Sequence, residues 1–377
     1  MATAFIYTDA YFNYDYGPMH PLRIIRLKLT HDLIKSYGLL NLPSVQFIPT
    51  LPAQEEDLSV FHSKDYLAIL KMANDGHLGQ EAYAYGLGPG DNPIFSGLFN
   101  WSLLVTGATL QAVDFVADGK GKIAFNIAGG LHHAMPSRAS GFCYVNDPVI
   151  GIYKLLNRGM RVAYIDLDAH HGDGVQKAFY ESDQVLTISL HESGYSLFPG
   201  TGFEYEIGSG RGEGFSVNLP FPAYTDDENY LWAFEEVVPE LIGYFCPDVI
   251  VTQLGVDTFE DDPLTHLRLS IYGFERMIRW IKDLAPRWVA LGGGGYEISN
   301  VARAWTLVWA IMNGVDLEEQ LPPNYVELAS KHGIHTQRLK GSLPISDSNS
   351  RDNREIRMEM ERVVHYLRGA LFPKVRR

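Results

Sequence analysis

Short runs of apolar and β-branched residues recur at Ala4 to Tyr7, Lys122 to Ile127, Val162 to Asp168, Val185 to Leu190, Asp248 to Leu254 and Trp288 to Leu291. They are too short for stable helices and predict strands. Between them lie longer stretches with apolar positions at helical spacing: Leu22 to Tyr37, Leu98 to Val116, Glu228 to Tyr244, Tyr272 to Leu284 and Asn300 to Met312. Strand then helix, repeated, predicts an α/β fold with a mainly parallel sheet covered on both faces. No internal repeat breaks this pattern. The segment Tyr85 to Pro93, rich in glycine and proline, reads as a long loop, and Gly341 to Asn353 reads as a linker leading to a terminal helix. One domain with elaborate loops is expected over residues 1–377.

Composition narrows the function classes. At 377 residues and 46% apolar, the chain is long enough to bury a large core, which excludes a disordered or disulfide-stapled protein. The net charge of −14, without a basic run interleaved with aromatics, argues against a nucleic-acid surface. Cys143 and Cys246 lie far apart without CxxC spacing, so neither a disulfide framework nor a cysteine metal knot is indicated. Met1 to Thr8 has no signal-peptide pattern, and no apolar window nears the roughly 18 residues that span a bilayer. A cytoplasmic protein that does not enter membranes is expected.

Polar clusters follow the predicted strands with regularity. The run ending near Ile127 leads into Gly129, Gly130, Leu131, His132 and His133; the run ending at Asp168 leads into His170, His171, Gly172 and Asp173. The others meet His191, Asp257, and four glycines followed by Tyr296. In an open parallel sheet, ligands bind beyond the carboxyl ends of the strands, so these clusters should converge on one crevice. That convergence points to an enzyme.

Asp166, Asp168 and His170 share one face if the extended geometry persists. A carboxylate and the imidazole from this segment, joined by Asp257, would make a three-ligand site with room for water or substrate, suited to zinc or ferrous iron. A magnesium site or a hydrogen-bonded loop is the alternative. The pairs His132-His133 and His170-His171 suit general acid–base work where a buried carboxylate fixes the tautomer, and Asp166 and Asp173 are the nearest partners in sequence. These acids otherwise cap helices or satisfy loop amides. Gly292 to Gly295 lack the GxxxxGK[ST] and GxGxxG arrangements, so nucleotide binding is disfavoured. They permit close approach of substrate and let Tyr296 donate to a developing oxyanion; a tight turn with a packed tyrosine is the bland reading.

At these residues the chain strongly resembles the histone deacetylase family, including bacterial deacetylase-like and acetoin-utilisation proteins, over most of residues 10 to 312. The motifs are HPLRIIR (20–26), AGGLHHA (128–134), GFCYVND (141–147), YIDLDAHHGDGVQ (164–176), SLH (189–191), LFPGTG (197–202), QLGVDT (253–258) and LGGGGY (291–296). The resemblance implies an arginase/deacetylase-like α/β fold with a central, largely eight-stranded parallel sheet, followed by a C-terminal extension over 313–377. It implies hydrolysis of acetylated lysine to lysine and acetate. Carried over by motif, Asp168, His170 and Asp257 match the zinc ligands. His132 and His133 match the tandem catalytic histidines, paired with Asp166 and Asp173, and Tyr296 matches the tyrosine that polarises the amide carbonyl.

The same resemblance implies a narrow acyl-lysine tunnel walled by Phe142 and Phe198, with Gly141 at its side, Leu264 near its rim and Gly294 among the substrate-binding positions. Asp91 resembles the rim aspartate that receives substrate backbone hydrogen bonds, and Arg26 an arginine below the active site. Structural potassium sites are implied as well. Asp166, Asp168, His170, Ser189 and Leu190 match the inner one; Phe179, Ser182, Val185 and Phe215 match the outer one, where serine and phenylalanine stand at positions that often carry threonine and tyrosine. The implied partner is acetylated lysine in a protein or peptide. Acetylated polyamines or other small amides are the nearest rival substrates, since Asp91, Glu260, Asp261 and Asp262 suit cationic amines equally. A non-catalytic acyl-lysine-binding module and a di-manganese hydrolase are more distant readings.

Overall fold

Strands β1 (Thr3–Tyr7), β2 (Val45–Pro49), β3 (Ile123–Asn126), β4 (Val162–Asp166), β5 (Val185–Glu192), β6 (Ser216–Phe221), β7 (Val249–Gln253) and β8 (Trp288–Leu291) build a single sheet. Its order is β2-β1-β3-β8-β7-β4-β5-β6 and every pairing is parallel. The structure is a computed structural model that describes residues 2–76, 79–88, 90–342 and 351–375. The expected linker Gly341 to Asn353 lies largely outside the described residues, as does Pro89 of the expected loop.

The helices are α1 (Ile25–Ser36), α2 (Glu55–Leu58), α3 (Lys64–Met72), α4 (Leu98–Ala117), α5 (Asp147–Leu156), α6 (Asp173–Phe179), α7 (Asp227–Phe245), α8 (Ile271–Leu284), α9 (Ile298–Asn313), α10 (Pro323–Ser330), α11 (Arg351–Ala370) and α12 (Phe372–Val375). Alternation along the strands feeds two cores. Ala4 and Ile6 pack with Val113, Val149 and Val175 of α4, α5 and α6, while Phe5 and Tyr7 turn to the opposite face, where Phe5 meets Trp309 of α9 at 5.3 Å between ring centres. Each such large side chain, fully buried, contributes about 1.5–3 kcal/mol. Burial on both faces explains why the central strands read as continuous apolar runs.

The six predicted strands are the six inner ones, and both edge strands escaped the sequence reading. β2 mixes half-buried and exposed positions, and β6 carries Asn218 and Pro220. Proline cannot donate to a ladder, which suits β6 to an edge. Helix α11 packs on α7 and β6 and buries Ile356, Met360, Val363, Val364 and Leu367.

One register row crosses the middle of the sheet: Asn126 of β3, Leu291 of β8, Gln253 of β7, Asp166 of β4 and Ser189 of β5. The loops that leave this row carry the histidines, acids and glycines singled out by sequence.

Candidate active site

Asp168 and His170 leave β4 and meet Asp257, which leaves β7, the neighbouring strand. Their ligand atoms lie within 4.8 Å of one another and all three residues are buried. His170 Nδ1 faces Asp168 Oδ1 at 3.1 Å and Asp257 Oδ2 at 3.0 Å. The carboxylates are aimed from behind: Asp168 Oδ2 accepts from Gln253 Nε2 at 2.5 Å and from the Gly294 amide at 2.8 Å, and Asp257 Oδ1 accepts from the Ala169 amide at 2.9 Å.

The electrostatics ask for a cation. Burial and the adjacent Asp168 carboxylate push Asp257 up to about 8. Burial opposes charge on His170, yet its hydrogen bonds to Asp168 and Asp257 outweigh this and push it up to about 10. Two carboxylates crowded on one imidazole in a dry site are relieved by a divalent ion that takes all three as ligands. The O, N, O donor set with no thiolate fits zinc or ferrous iron.

Beside this cluster, His132 and His133 face each other through their Nε2 atoms at 2.9 Å. His132 Nδ1 meets Asp166 Oδ2 at 2.7 Å, and His133 Nδ1 meets Asp173 Oδ1 at 2.8 Å. Asp166 Oδ2 also accepts from the Tyr164 hydroxyl at 2.7 Å, so this buried carboxylate is fully engaged. Burial works against charge on His132, but Asp166 and Asp168 prevail and raise it to about 9. His133 is lowered by burial and by His132, with Asp173 opposing.

The sequence profile of the histone deacetylase domain matches residues 20–312. Acetoin utilization protein AcuC of Bacillus subtilis is 42% identical over 332 residues, covering 86% of this chain and 85% of its own length. Histone deacetylase RPD3 of Saccharomyces cerevisiae is 37% identical over 324 residues, covering 85% and 74%. The chain belongs to the histone deacetylase family. Among solved structures, a histone deacetylase homologue complexed with SAHA superposes with a TM-score of 0.89 at 35% identity, over 97% of this chain and 100% of the other. A homologue from Aquifex aeolicus gives 0.87 at 34% identity, with the same coverage. The arginase/deacetylase-like fold and a deacetylase hydrolase follow from these matches, and the family's dependence on metal agrees with the buried Asp/His/Asp cluster.

Gly141 and Phe142 both adopt left-handed backbone, φ +51° and +67°, and the Phe142 carbonyl accepts from the Tyr16 hydroxyl at 3.1 Å. A left-handed phenylalanine is strained, which marks this turn as held by its surroundings. The Phe142 ring packs edge-on against His20 at 4.6 Å and against Tyr296 at 5.6 Å. Phe198, 45% exposed, packs edge-on against His133 at 5.1 Å. Any Cβ at Gly141 would strike the His133 ring, and one at Gly294 would press on Asp257 and Asp168, so both glycines are needed for close approach. Asp91 is exposed, and its carbonyl bonds His20 Nε2 at 3.2 Å, while half-buried Leu264 donates its amide to Asp262 at 3.0 Å. Arg26 is buried, donates to the Gly295 carbonyl at 3.0 Å and lies over the Trp305 ring at 5.3 Å.

The proposed cation positions flank β5. Ser189 is the register partner of Asp166, and the Leu190 carbonyl accepts from Tyr230 at 3.0 Å. At the other end, Phe179 closes α6 with its carbonyl on the Ser182 amide at 2.9 Å, Val185 opens β5, and the Phe215 carbonyl takes the Thr187 amide at 2.9 Å.

Two supporting residues, Asp147 and Gln253, received no role from the sequence, and a third, Asp262, read there as rim charge, is instead buried. Asp147 accepts from Thr109 at 2.6 Å and from the amides of Gly130 and Leu131 at 3.1 and 2.9 Å, so it holds the turn that presents His132. Gln253 aims Asp168 as described, and Asp262 accepts the Tyr296 amide at 2.7 Å. Asp147 and Gln253 sit inside the quoted motifs GFCYVND and QLGVDT, which was the available signal.

Proposed function

We propose that this chain hydrolyses N-ε-acetyl-lysine in proteins or peptides, with zinc as the resident metal and ferrous iron as the alternative. The observation that carries the reading is the pairing of two His–Asp dyads with the buried Asp168, His170 and Asp257 cluster at one end of the sheet. Aromatic Phe142 and Phe198 suit the methylenes of a lysine side chain. The similarity to AcuC and RPD3, and to a homologue solved with SAHA, supports the same class of substrate.

A divalent ion held by Asp168, His170 and Asp257 would supply Lewis acidity to the amide carbonyl and acidify the attacking water. His133, neutral and oriented by Asp173, accepts the water proton and returns it to the leaving amine. His132, which keeps its own proton through Asp166, adds positive charge where negative charge develops. Tyr296, held well above its ordinary range by burial and by Asp257 and Asp168, stays protonated and donates to the developing oxyanion. Asp91 would bond substrate backbone at the rim, while Gly141, Leu264 and Gly294 shape the channel. Potassium at the inner set (Asp166, Asp168, His170, Ser189, Leu190) and the outer set (Phe179, Ser182, Val185, Phe215) would brace β5 and the ligand loop.

The reading extends to organisation and setting. Residues 1–377 act as one deacetylase domain, with 313–377 as an extension whose helix α11 braces β6. Both cysteines are free thiols, consistent with the cytoplasm, and no described helix is long and apolar enough to cross a membrane. The test is acetate release by the zinc-reconstituted protein from acetyl-lysine peptides and, in parallel, acetylated polyamines, with chelator and Tyr296→Phe controls. Peptide turnover lost in both controls is the expected result. Turnover of polyamines alone would move the assignment to small-amide metabolism.

A further inference from the structure

Glu192 ends β5 with its side chain wholly enclosed, and the chemistry above makes no use of it. Its amide donates to the carbonyl of Ala169, the residue between Asp168 and His170, at 2.9 Å. Its carboxylate reaches two different loops. Oε1 accepts from the Ser196 hydroxyl at 2.8 Å and from His266 Nδ1 at 2.9 Å, and Oε2 accepts from the His266 amide at 2.8 Å. Ser196 stands two residues before Phe198, and His266 two residues after Leu264. Between Leu264 and His266, the Thr265 hydroxyl donates to the carbonyl of Asp257.

We infer that Glu192 is a positioning residue that joins the Phe198 loop to the Leu264 loop, sets the separation of these two side chains at the channel mouth, and so governs how closely the lysine methylenes are held. The inference rests on the acyl-lysine reading above. A buried carboxylate with three donors is a stiff tie, because each donor lost leaves an acceptor unpaired in a dry site. His266 is half-exposed while Glu192 is enclosed, so the tie is anchored on the sheet side and the loops hang from it. The spacing of apolar walls decides how well they enclose the lysine methylenes, and binding of that kind is lost from KM while kcat is kept.

Two substitutions in the full, metal-loaded chain test this: Glu192→Gln, which keeps the volume but turns an acceptor into a donor, and His266→Ala at the half-exposed end. Both should speed amide exchange in 193–203 and in 262–268 together. Both should raise KM for an acetyl-lysine peptide about fivefold and leave kcat within about twofold. Metal content should not change. Faster exchange confined to 262–268 in His266→Ala, or a fall in kcat with KM unchanged, would overturn the tie. If the wild-type chain turned over no acyl-lysine peptide, the function reading would fall and the exchange measurement would still decide whether Glu192 couples the loops.

Discussion

His132 and His133 are neighbours in sequence, yet each is held by its own carboxylate, Asp166 on β4 and Asp173 at the start of α6, and the two rings meet Nε2 to Nε2 at 2.9 Å. One proton between two facing nitrogens makes the pair unequal. His132 is pushed up to about 9, with Asp166 and Asp168 overcoming burial, and His133 is pushed down by burial and by His132. Under the proposed function, His133 is the base.

Activity should therefore fall on the acid side as His133 gains a proton, below the ordinary histidine range near 6.5, and on the alkaline side as His132 loses one near 9. Asp173→Asn removes a carboxylate that favours charged His133, so the acid limb should move to still lower pH while the maximal rate drops about 100-fold. Profiles of kcat/KM against pH for the two proteins check both statements.

Tyr296→Phe removes the hydroxyl and little else, since the Tyr296 amide bond to Asp262 and its ring contact with Phe142 survive. A loss of about 10²–10³ in kcat is expected, with unchanged metal content and melting temperature. Steady-state kinetics with metal analysis would show it, and near-normal turnover would remove Tyr296 from the oxyanion role.

Asp168→Ala and Asp257→Asn should each lose metal. In the intact protein, zinc at 100 times its dissociation constant should add about 2.7 kcal/mol to stability, because the folded state alone brings the three ligands together. Thermal melts with chelator and after zinc addition measure this, and a melting temperature indifferent to zinc would argue against the cluster as its site.

Asp262→Ala frees the amide of Tyr296 and that of Leu264 at once. A fall of about 10- to 100-fold in kcat is expected through misplacement of the Tyr296 hydroxyl, with zinc content intact. Comparison with Tyr296→Phe separates the two roles: the double substitution should be no slower than Tyr296→Phe alone if Asp262 acts through that hydroxyl.

Gly294→Ala carries a steric prediction. The added carbon would lie 2.7 Å from Asp168 Oδ2 and closer still to Asp257. Zinc affinity should fall by about 10-fold or more, read by competition with a chromophoric chelator.

Much of this protein was legible in its sequence, and the reasons are local. Strands buried on both faces leave uninterrupted apolar runs, so β1, β3, β4, β5, β7 and β8 could be read within a few residues. The edge strands β2 and β6 could not, because Gln46, Asn218 and Pro220 break the pattern and only neighbours make those segments extended. Helices α5 and α6 were likewise missed: α5 begins at the last residue of GFCYVND and α6 begins within YIDLDAHHGDGVQ, where polar side chains cap and orient.

By itself the sequence determined the parallel α/β class, the placement of chemistry at strand ends and the identity of the residues that gather there, because periodicity and motif spacing act over short distances. Tertiary structure alone decided who meets whom. Asp257 reaches His170 because β7 lies beside β4, an adjacency set by sheet order and not by chain distance. Asp147, Gln253, Asp262 and Glu192 look like ordinary polar residues in a string of letters. Their roles arise only when folding buries each one against the backbone amides and side chains it must satisfy.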